Sequence, residues 1–303
     1  MGVVPAMTEA TVSAIIPATT QLEGAGFEVN RPFPSARLDM LDPFLLLDQM
    51  GPVVNAPGQA IGTSDHPHRG FETVTYLLDG EIEHVDSLGN GGRLGPGDTQ
   101  WMTAGAGIVH REGPSPEAAS AGGPMHGIQL WVNLPAAEKM TPPRYQDLRA
   151  ADVAVTELGG ATVRVIAGRA FGLDGPGQTR TPISYAHVTL PAGATLSTEI
   201  DPEHNVGVYT LIGEISIGPQ VVDARQLAVI EPGSSTLTLT GPGIDDEPAE
   251  VLVLTGRPIG EPVARAGPFV MNTRAELHEA MLDYQSGAMG SIPAPTGTRP
   301  GPG

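Results

Sequence analysis

Cysteine is absent from this chain of 303 residues, and basic residues are scarce, with 16 Lys and Arg against 34 Asp and Glu. The lack of cysteine excludes a disulfide framework, a thiolate metal site and a cysteine nucleophile. The formal net charge of −18 repels other polyanions. We therefore expect neither direct nucleic-acid binding nor attachment to an anionic membrane surface.

Long apolar segments are also missing. No stretch approaches 18 consecutive apolar residues, and residues 1–19 lack a basic start followed by an apolar core. Neither a membrane span nor a secretory leader is therefore expected, and the protein is predicted to be cytoplasmic. The length is sufficient for two domains of about 150 residues each.

Glycine and proline are abundant instead, with 40 and 30 residues. They are interleaved with β-branched runs, so they indicate turns between short strands. The sequence thus predicts an all-β fold. Residues 1–20 carry little pattern and are predicted to form a flexible arm that frays or exchanges as a strand.

Two pairs of metal-binding side chains stand close together in the first half of the chain. His66 and His68 are two residues apart, and His110 and Glu112 have the same spacing. In an extended strand this spacing puts both members of a pair on one face. Neighbouring strands lie about 4.8 Å apart, so two such strands in one barrel wall would let all four side chains converge on one ion.

Three imidazoles and one carboxylate suit iron, manganese, nickel, copper or zinc. An octahedral ion with four protein ligands keeps two positions open, which is typical of a catalytic or binding site. Glu72 is a competing carboxylate because it follows His68 by four residues, although the intervening Gly70 leaves the register open. Otherwise Glu72 is expected to hydrogen-bond a ligand.

Three other polar residues lie in predicted strands. His126 shares a face with three apolar residues at alternating positions, namely Ile128, Leu130 and Val132. It is therefore expected to be buried and hydrogen-bonded, with a position beside the metal as the alternative. His84 is the weaker candidate for the site. Asp48 follows the apolar run Leu45–Leu47 and is interpreted as a solvated strand end.

The second half of the chain echoes the first. Y-L-L-D-G-E-I at 76–82 aligns with Y-T-L-I-G-E-I at 209–215 at an offset of 209 minus 76, or 133. This internal repeat indicates a duplicated barrel. We predict an N-terminal barrel over 21–140 and, after a proline-rich linker, a C-terminal barrel over 144–288.

The second copy is predicted to hold no metal. The offset of 133 places Glu199 and Asp201 opposite the first histidine pair. A local offset of 232 minus 96, or 136, places Asp246 and Pro248 opposite the second pair. His204 is the one histidine near these positions, so a full ligand set is missing.

The chain closes with a predicted helix. Thr273 and Glu276 form a capping box, and Gly287 stands where a C-cap belongs. Its predicted apolar face contains three side chains at helical spacing, namely Leu277, Met281 and Tyr284. We expect this helix to pack across a barrel and residues 289–303, rich in proline and glycine, to be disordered.

Four motifs of the chain are specific in combination. They are H-P-H-R-G-F-E-T at 66–73, G-D-T-Q-W-M-T-A-G at 97–105, H-G-I-Q-L-W-V-N-L-P at 126–135 and G-P-F-V-M-N-T at 267–273. Together they resemble the pirin family, which lies within the cupin superfamily. The resemblance runs from about residue 22 to residue 287 and implies two cupin barrels of the double-stranded β-helix, jelly-roll type.

The resemblance also implies one Fe(II) per chain, bound in the N-terminal barrel, with other divalent transition metals as alternatives. Its ligands would be the residues that match the family's positions, namely His66, His68, His110 and Glu112. The resemblance thereby selects iron from the metals that ligand chemistry leaves open. It also favours Glu112 over Glu72.

Activity within this family is divided. Some bacterial pirin-like proteins cleave quercetin with dioxygen, whereas others bind partners: transcription regulators in eukaryotic nuclei, or metabolic enzymes in bacteria. The resemblance implies first a quercetin 2,3-dioxygenase-type oxidoreductase acting on flavonol-like substrates, with Glu112 as general base. The alternative is a metal- and redox-dependent regulatory protein that binds a protein partner without catalysis. A concave, apolar pocket beside His126 and Met102 would favour catalysis, and a flat, exposed metal site would favour a partner.

Overall fold

The computed structural model describes residues 8–243 and 247–293, and strands dominate these ranges. The first half contains β1 (Val12–Pro17), β2 (Thr19–Glu23), β3 (Phe27–Phe33), β4 (Phe44–Asn55), β5 (His66–His68), β6 (Phe71–Asp79), β7 (Ile82–Asp86), β8 (Gly91–Leu94), β9 (Thr99–Thr103), β10 (Ile108–Gly113), α1 (Pro116–Ala121), β11 (Gly123–Asn133), a 3₁₀ turn (Ala136–Glu138) and β12 (Arg144–Leu148). The predicted all-β class is confirmed.

The second half repeats this pattern of short strands and ends in a helix. It contains β13 (Ala154–Leu158), β14 (Ala161–Ala167), β15 (Arg169–Ala170), β16 (Leu173–Asp174), β17 (Ile183–Leu190), β18 (Thr195–Glu199), β19 (Asn205–Ile212), β20 (Glu214–Ile217), β21 (Gln220–Asp223), β22 (Gln226–Ile230), β23 (Thr236–Thr240), β24 (Ala249–Gly256), β25 (Ala264–Ala266), β26 (Phe269–Met271) and α2 (Arg274–Gln285). Neither helix of the described ranges is long and apolar enough to cross a membrane.

Each half forms a barrel from one seven-stranded and one four-stranded antiparallel sheet. The N-terminal sheets have the orders β12-β9-β6-β11-β4-β3-β2 and β5-β10-β7-β8. The C-terminal sheets have the orders β1-β22-β19-β24-β17-β14-β13 and β18-β23-β20-β21. The two sets correspond strand by strand, and the repeated tyrosines Tyr76 and Tyr209 lie on the matching strands β6 and β19. The predicted duplication into two cupin barrels is thus confirmed.

The two seven-stranded sheets pack against each other through their outer faces. Their shared core combines residues of the first barrel, such as Tyr76 and Leu130, with residues of the second, such as Tyr209. The predicted apolar face of β11 lies here, because Ile128, Leu130 and Val132 are fully buried. Burying a large apolar side chain contributes about 1.5–3 kcal/mol, so this interface stabilises the pair of barrels substantially.

The ends of the barrels differ from the predicted boundaries. β1 pairs with β22 and completes the C-terminal sheet, so Val12–Pro17 do not fray. Of the two alternatives predicted for the arm over 1–20, this pairing agrees with the arm that exchanges as a strand. The open edge of β22 provides unpaired backbone groups that this strand satisfies. Conversely, β12 pairs with β9, so residues 144–148 belong to the N-terminal sheet. Residues 1–7 lie outside the described ranges.

Helix α2 has the predicted start and a different buried face. The side chain of Thr273 accepts from the Glu276 backbone, and Glu276 accepts from the Thr273 backbone, which confirms the capping box. Gly287 follows the cap residue with a positive φ of 80°, as a helix terminus of this kind requires. The buried residues are Leu277 and Ala280, whereas two members of the predicted face, Met281 and Tyr284, are 37% and 39% exposed.

The chain beyond this helix remains ordered over a further stretch. Met289 is only 4% exposed and packs in an apolar cluster with Val109, Phe269 and Leu277. The prediction of disorder is therefore wrong for Met289. Residues 294–303 lie outside the described part of the chain, so the rest of that prediction is untested.

Candidate metal centre

Three histidines converge inside the N-terminal barrel. β5 and β10 are antiparallel neighbours, and His110 lies directly opposite His66 in their register. One ligand nitrogen from each of His66, His68 and His110 lies within 4.8 Å of the other two. The two-residue spacing on adjacent strands thus brings three imidazoles to one point, as strand geometry predicts.

Hydrogen bonds fix the orientation of two of these rings. The Nδ1–H of His66 donates to the Ser64 carbonyl oxygen at 2.8 Å, and that of His68 donates to the Pro268 carbonyl oxygen at 3.3 Å. A backbone oxygen accepts in both cases, so the proton lies on Nδ1 and the lone pair on Nε2 is free. Carbonyl partners of this kind are usual for metal-binding imidazoles.

The electrostatics of the cluster suit a cation. Burial and the neighbouring His66 lower the pKa of His68 to about 3. Burial and His68 also lower the pKa of His110 well below its usual value. Both rings are therefore neutral at pH 7, the form that binds metals. Both ring nitrogens of His110 are buried without a hydrogen-bond partner, so the donor set fits a divalent transition metal.

Glu112 lies on β10 but outside this group of three. Its Oε1 accepts from the Thr75 hydroxyl at 2.8 Å, and its Oε2 accepts from the Gln129 amide at 3.2 Å. The carboxylate lines the same cavity as His66 and His68. Its assignment as a fourth ligand stays a prediction.

A cavity of ≈ 940 Å³ opens beside the histidines. Its wall includes Trp131, whose ring packs against Phe71 at a centroid distance of 4.4 Å and edge-on to His68 at 5.2 Å. The cavity is concave, as expected for chemistry on a small molecule. Neither His126 nor Met102 lines it, so the concave pocket that would favour catalysis is present but lies beside other residues than the two named for it.

Glu72 is directed away from the cluster. Along β6, Phe71 and Thr75 face the barrel interior, whereas Glu72 accepts from the Thr103 hydroxyl at 2.6 Å on the opposite face. Gly70, with a φ of 89°, breaks the alternation between His68 and the strand, so the shared face does not form. Burial raises the pKa of Glu72. Its alternative roles as a ligand or as a neighbour of one are wrong.

His126 belongs to the interface between the barrels. Its Nε2 accepts from the Gln49 amide at 3.0 Å, and Gln49 in turn accepts from the Tyr209 hydroxyl at 2.9 Å. Burial lowers the pKa of His126. The expected buried, hydrogen-bonded histidine is confirmed, and the alternative position beside the metal is wrong.

The variant His126→Ala is therefore expected to bind metal with the affinity of the parent. It should lose about 1–3 kcal/mol of unfolding free energy, because the buried Gln49 amide would keep only its longer bond, to the Leu211 carbonyl oxygen at 3.3 Å. Metal titration and denaturant unfolding measure the two quantities. Loss of metal from folded His126→Ala protein would contradict this placement.

His84 and Asp48 are both buried. His84 is 3% exposed, lies across from Glu112 on β7, and stacks on Tyr145 with centroids 5.2 Å apart. Asp48 is 5% exposed and accepts from Arg31 Nε at 2.6 Å on the cavity wall. The interpretation of Asp48 as a solvated strand end is wrong, because β4 continues to Asn55.

The C-terminal barrel has different side chains at the corresponding place. By strand order, β18 corresponds to β5. The counterpart of β10 is β23, which has the sequence T-L-T-L-T. The predicted alignment of Asp246 and Pro248 with the second ligand pair is therefore wrong, and Asp246 itself lies outside the described ranges. Glu199, Asp201 and His204 line a cavity of only ≈ 80 Å³. No second group of three possible ligands occurs among the described residues.

Four contributors to the site are not identified from the sequence. Thr75 and Gln129 hold Glu112, Trp131 lines the cavity, and the Pro268 carbonyl accepts from His68. Period-two alternation along β11 places Gln129 and Trp131 opposite its apolar face, which is a usable signal. The contact from Pro268 has no local signal, because it spans 200 residues.

Comparisons with known proteins agree with this architecture. The family model Pirin matches residues 26–132, and the model Pirin C-terminal cupin domain matches residues 185–290. Human pirin is 41% identical over 276 residues, which cover 89% of this chain and 90% of that protein.

Solved structures give the same result. A crystal structure of quercetin 2,3-dioxygenase from Acinetobacter baumannii has a TM-score of 0.86 at 38% identity, covering 95% of this chain and 100% of that one. A bacterial pirin from Escherichia coli, solved in complex with nickel(II), has a TM-score of 0.63 at 20% identity over 81% and 99% of the two chains and shows the fold alone. By its two family matches and its likeness to human pirin, the chain belongs to the pirin family.

Proposed function

We propose that this protein is an Fe(II)-dependent dioxygenase of the quercetin 2,3-dioxygenase type, acting on flavonol-like aromatic substrates. The observation that carries the proposal is the cluster of three imidazoles beside a concave cavity of ≈ 940 Å³. A structural site would be closed by protein ligands, whereas this one adjoins a space that a small molecule can enter. The likeness to a solved quercetin 2,3-dioxygenase supports the same choice.

The residues that would hold the metal are His66, His68 and His110, with Glu112 as the fourth ligand. Fe(II) at this place would supply a Lewis acid and the redox chemistry that dioxygen requires. The protein's own contribution is to keep His68 and His110 neutral through burial. The carbonyl oxygens of Ser64 and Pro268 fix the orientation of the His66 and His68 rings.

Glu112 is the side chain suited to accept the flavonol proton. Its carboxylate lines the cavity, and Thr75 and Gln129 each donate a hydrogen bond to one of its oxygens. These bonds hold the side chain in one orientation. A substrate hydroxyl that enters the cavity could then transfer its proton to a Glu112 oxygen within hydrogen-bonding distance.

Trp131 provides an aromatic wall for the substrate. Its ring is supported from behind by Phe71 and lies beside His68, so a flat ligand next to the imidazoles would stack on it. Stacking between aromatic rings contributes about 0.5–1.5 kcal/mol beyond the area buried. The wall therefore favours aromatic ligands over aliphatic ones of similar size.

We expect Trp131→Leu to weaken flavonol binding by about 3- to 10-fold, because it removes the stacking surface. Trp131→Phe, the matched control, should bind nearly as well as the parent. The chain has two tryptophans, and of these Trp131 lines the cavity, so flavonol quenching of fluorescence should be weaker in both variants than in the parent. Anaerobic calorimetric titration measures affinity. Equal affinity of all three proteins would remove Trp131 from the binding wall.

The experiment that tests the proposed activity begins with anaerobic loading of the full chain with Fe(II). Oxygen is then admitted with a panel of flavonols, and loss of the flavonol is compared with oxygen uptake. Equal molar amounts are expected, because a dioxygenase transfers both oxygen atoms to its substrate. No turnover of any flavonol by iron-loaded protein would reject the proposal.

A second candidate function is metal- and redox-dependent binding of a protein partner. The observation that favours it is an exposed apolar surface at the cavity mouth: Val53 and Ile61 line the cavity and are 49% and 47% exposed, and the adjacent Val54 is 78% exposed. Exposed apolar groups at a site can mark a protein contact as well as a ligand entrance. A partner whose affinity follows the oxidation state of the iron, without flavonol turnover, would support this alternative.

A further inference from the structure

We propose that residues 264–293, the C-terminal segment, act as a positioning device for the metal centre of the N-terminal barrel. This segment comprises β25, β26, α2 and the residues that follow, and it packs on the first barrel although it comes after the second in sequence. It contacts residues on both ligand strands. The inference rests on metal binding at the three imidazoles.

The segment reaches His68 directly. The Pro268 carbonyl between β25 and β26 accepts from His68 Nδ1–H at 3.3 Å. The next residues continue the contact: Arg69 forms a bridge with Phe269, and the Val270 amide donates to the Arg69 carbonyl at 3.1 Å. The ring of His68 and the backbone that carries it are thus held by the same short stretch.

A buried lysine fastens this stretch to the barrel. Lys139 is 1% exposed, and its Nζ donates to the carbonyl oxygens of Gly70 and Val270 at 2.8 and 3.0 Å. The approach is close, because a Cβ atom on Gly70 would lie 2.0 Å from the Val270 oxygen. Displacement of Val270 would therefore also shift the backbone two residues after His68.

An ion pair connects the helix to the residue after His68. Arg69 Nη2 donates to Asp283 Oδ2 of α2 at 2.8 Å, and Arg69 Nε donates to the Ala106 carbonyl at 2.6 Å. The Arg69 side chain is 5% exposed and that of Asp283 36%. Because Arg69 is nearly buried, the loss of Asp283 would leave part of its guanidinium without a partner.

The segment supports the strand of His110 as well. Val109 packs in one cluster with Phe269, Leu277 and Met289. Ser87 links the same elements, since its hydroxyl donates to the Met289 carbonyl at 2.8 Å and accepts from the Val109 amide at 3.1 Å. The residues adjacent to two of the three imidazoles therefore depend on contacts from the C-terminal segment.

Asp283→Ala is the test variant, and the parent's own titration with Co(II) is measured first. We expect the variant, as full-length protein, to bind Co(II) about 10-fold more weakly, the scale found when groups that orient ligands are changed. Its visible Co(II) absorption should also differ from the parent's, because the ligand geometry changes. Asp174→Ala is the matched control: it removes the exposed Arg169–Asp174 pair, at 3.0 Å in the other barrel, and should bind as the parent does.

Met289→Ala provides a second route if Asp283→Ala does not fold. It removes a buried contact near Val109 and should also weaken Co(II) binding and alter the spectrum. Asp283→Glu, which restores the charge, should recover most of the affinity. If folded variants show lower melting temperatures but the parent's Co(II) affinity and spectrum, the segment is purely structural and the proposal fails. Absence of Co(II) binding by the parent would instead reject the metal site itself.

Discussion

His68→Ala is expected to remove tightly bound metal while both barrels remain folded. Metal binding by a complete set of four ligands contributes about 10–16 kcal/mol in small zinc domains, or roughly 3 kcal/mol per ligand if shared equally. The loss of one imidazole should therefore weaken binding by roughly 10²-fold or more. His68 is also the ring held by Pro268, so the variant loses a ligand that is already oriented.

Elemental analysis and calorimetry check this expectation. The parent should carry about one metal per chain, since one three-histidine group occurs in the described residues, and His68→Ala should carry little. His278→Ala, which removes an exposed imidazole from α2, is the matched control and should keep its metal. The C-terminal barrel has its own apolar core, and a second apolar core is shared between the two barrels, so cooperative unfolding should persist. Its loss in His68→Ala would show that the ion, and not the cores, maintains the fold.

The convergence of the histidines can be predicted from the sequence because it depends on local geometry. A spacing of two residues fixes the face of an extended strand, so the pair His66 and His68 needs no knowledge of the rest of the chain. The repeat at 76–82 and 209–215 similarly indicates two barrels, since corresponding strands require similar apolar patterns. The capping box at Thr273 is local in the same way.

The predictions that are wrong depend on a strand register or on a distant contact that local spacing does not determine. Glu72 has the right spacing from His68, but the positive φ of Gly70 turns the strand over between them. The offset of 136 that aligns Asp246 with His110 fails, because the loops of the two barrels differ in length. The strand that corresponds to β10 is β23. Pro268 contacts His68 of the first barrel from near the end of the chain, and β1 pairs with β22 of the second barrel from near its start. The periodicity of a sequence does not indicate such distant contacts.

Glu112→Gln is expected to separate the two candidate functions. It removes the charge and the basicity of the side chain but keeps its shape. The surrounding bonds can adapt. The Gln129 amide can still donate to the oxygen of the new glutamine. The Thr75 hydroxyl can turn to donate to the Gln129 oxygen, which lies 2.7 Å away, and then accept from the amide of the new glutamine. Metal binding should weaken modestly, and excess Fe(II) should still saturate the three imidazoles.

At full iron occupancy, a dioxygenase in which Glu112 accepts the flavonol proton should lose roughly 10²-fold or more in turnover, the usual scale for a positioned acid or base. Flavonol binding should fall less, because Trp131 and the cavity wall are unchanged. Glu83→Gln, a carboxylate paired with Arg93 and outside the cavity lining, is the matched control. Parent-like turnover in iron-saturated Glu112→Gln would remove Glu112 as the base.

If the iron-loaded parent turns over no flavonol, regulated partner binding becomes the better assignment, and partner affinity should then depend on the oxidation state of the iron.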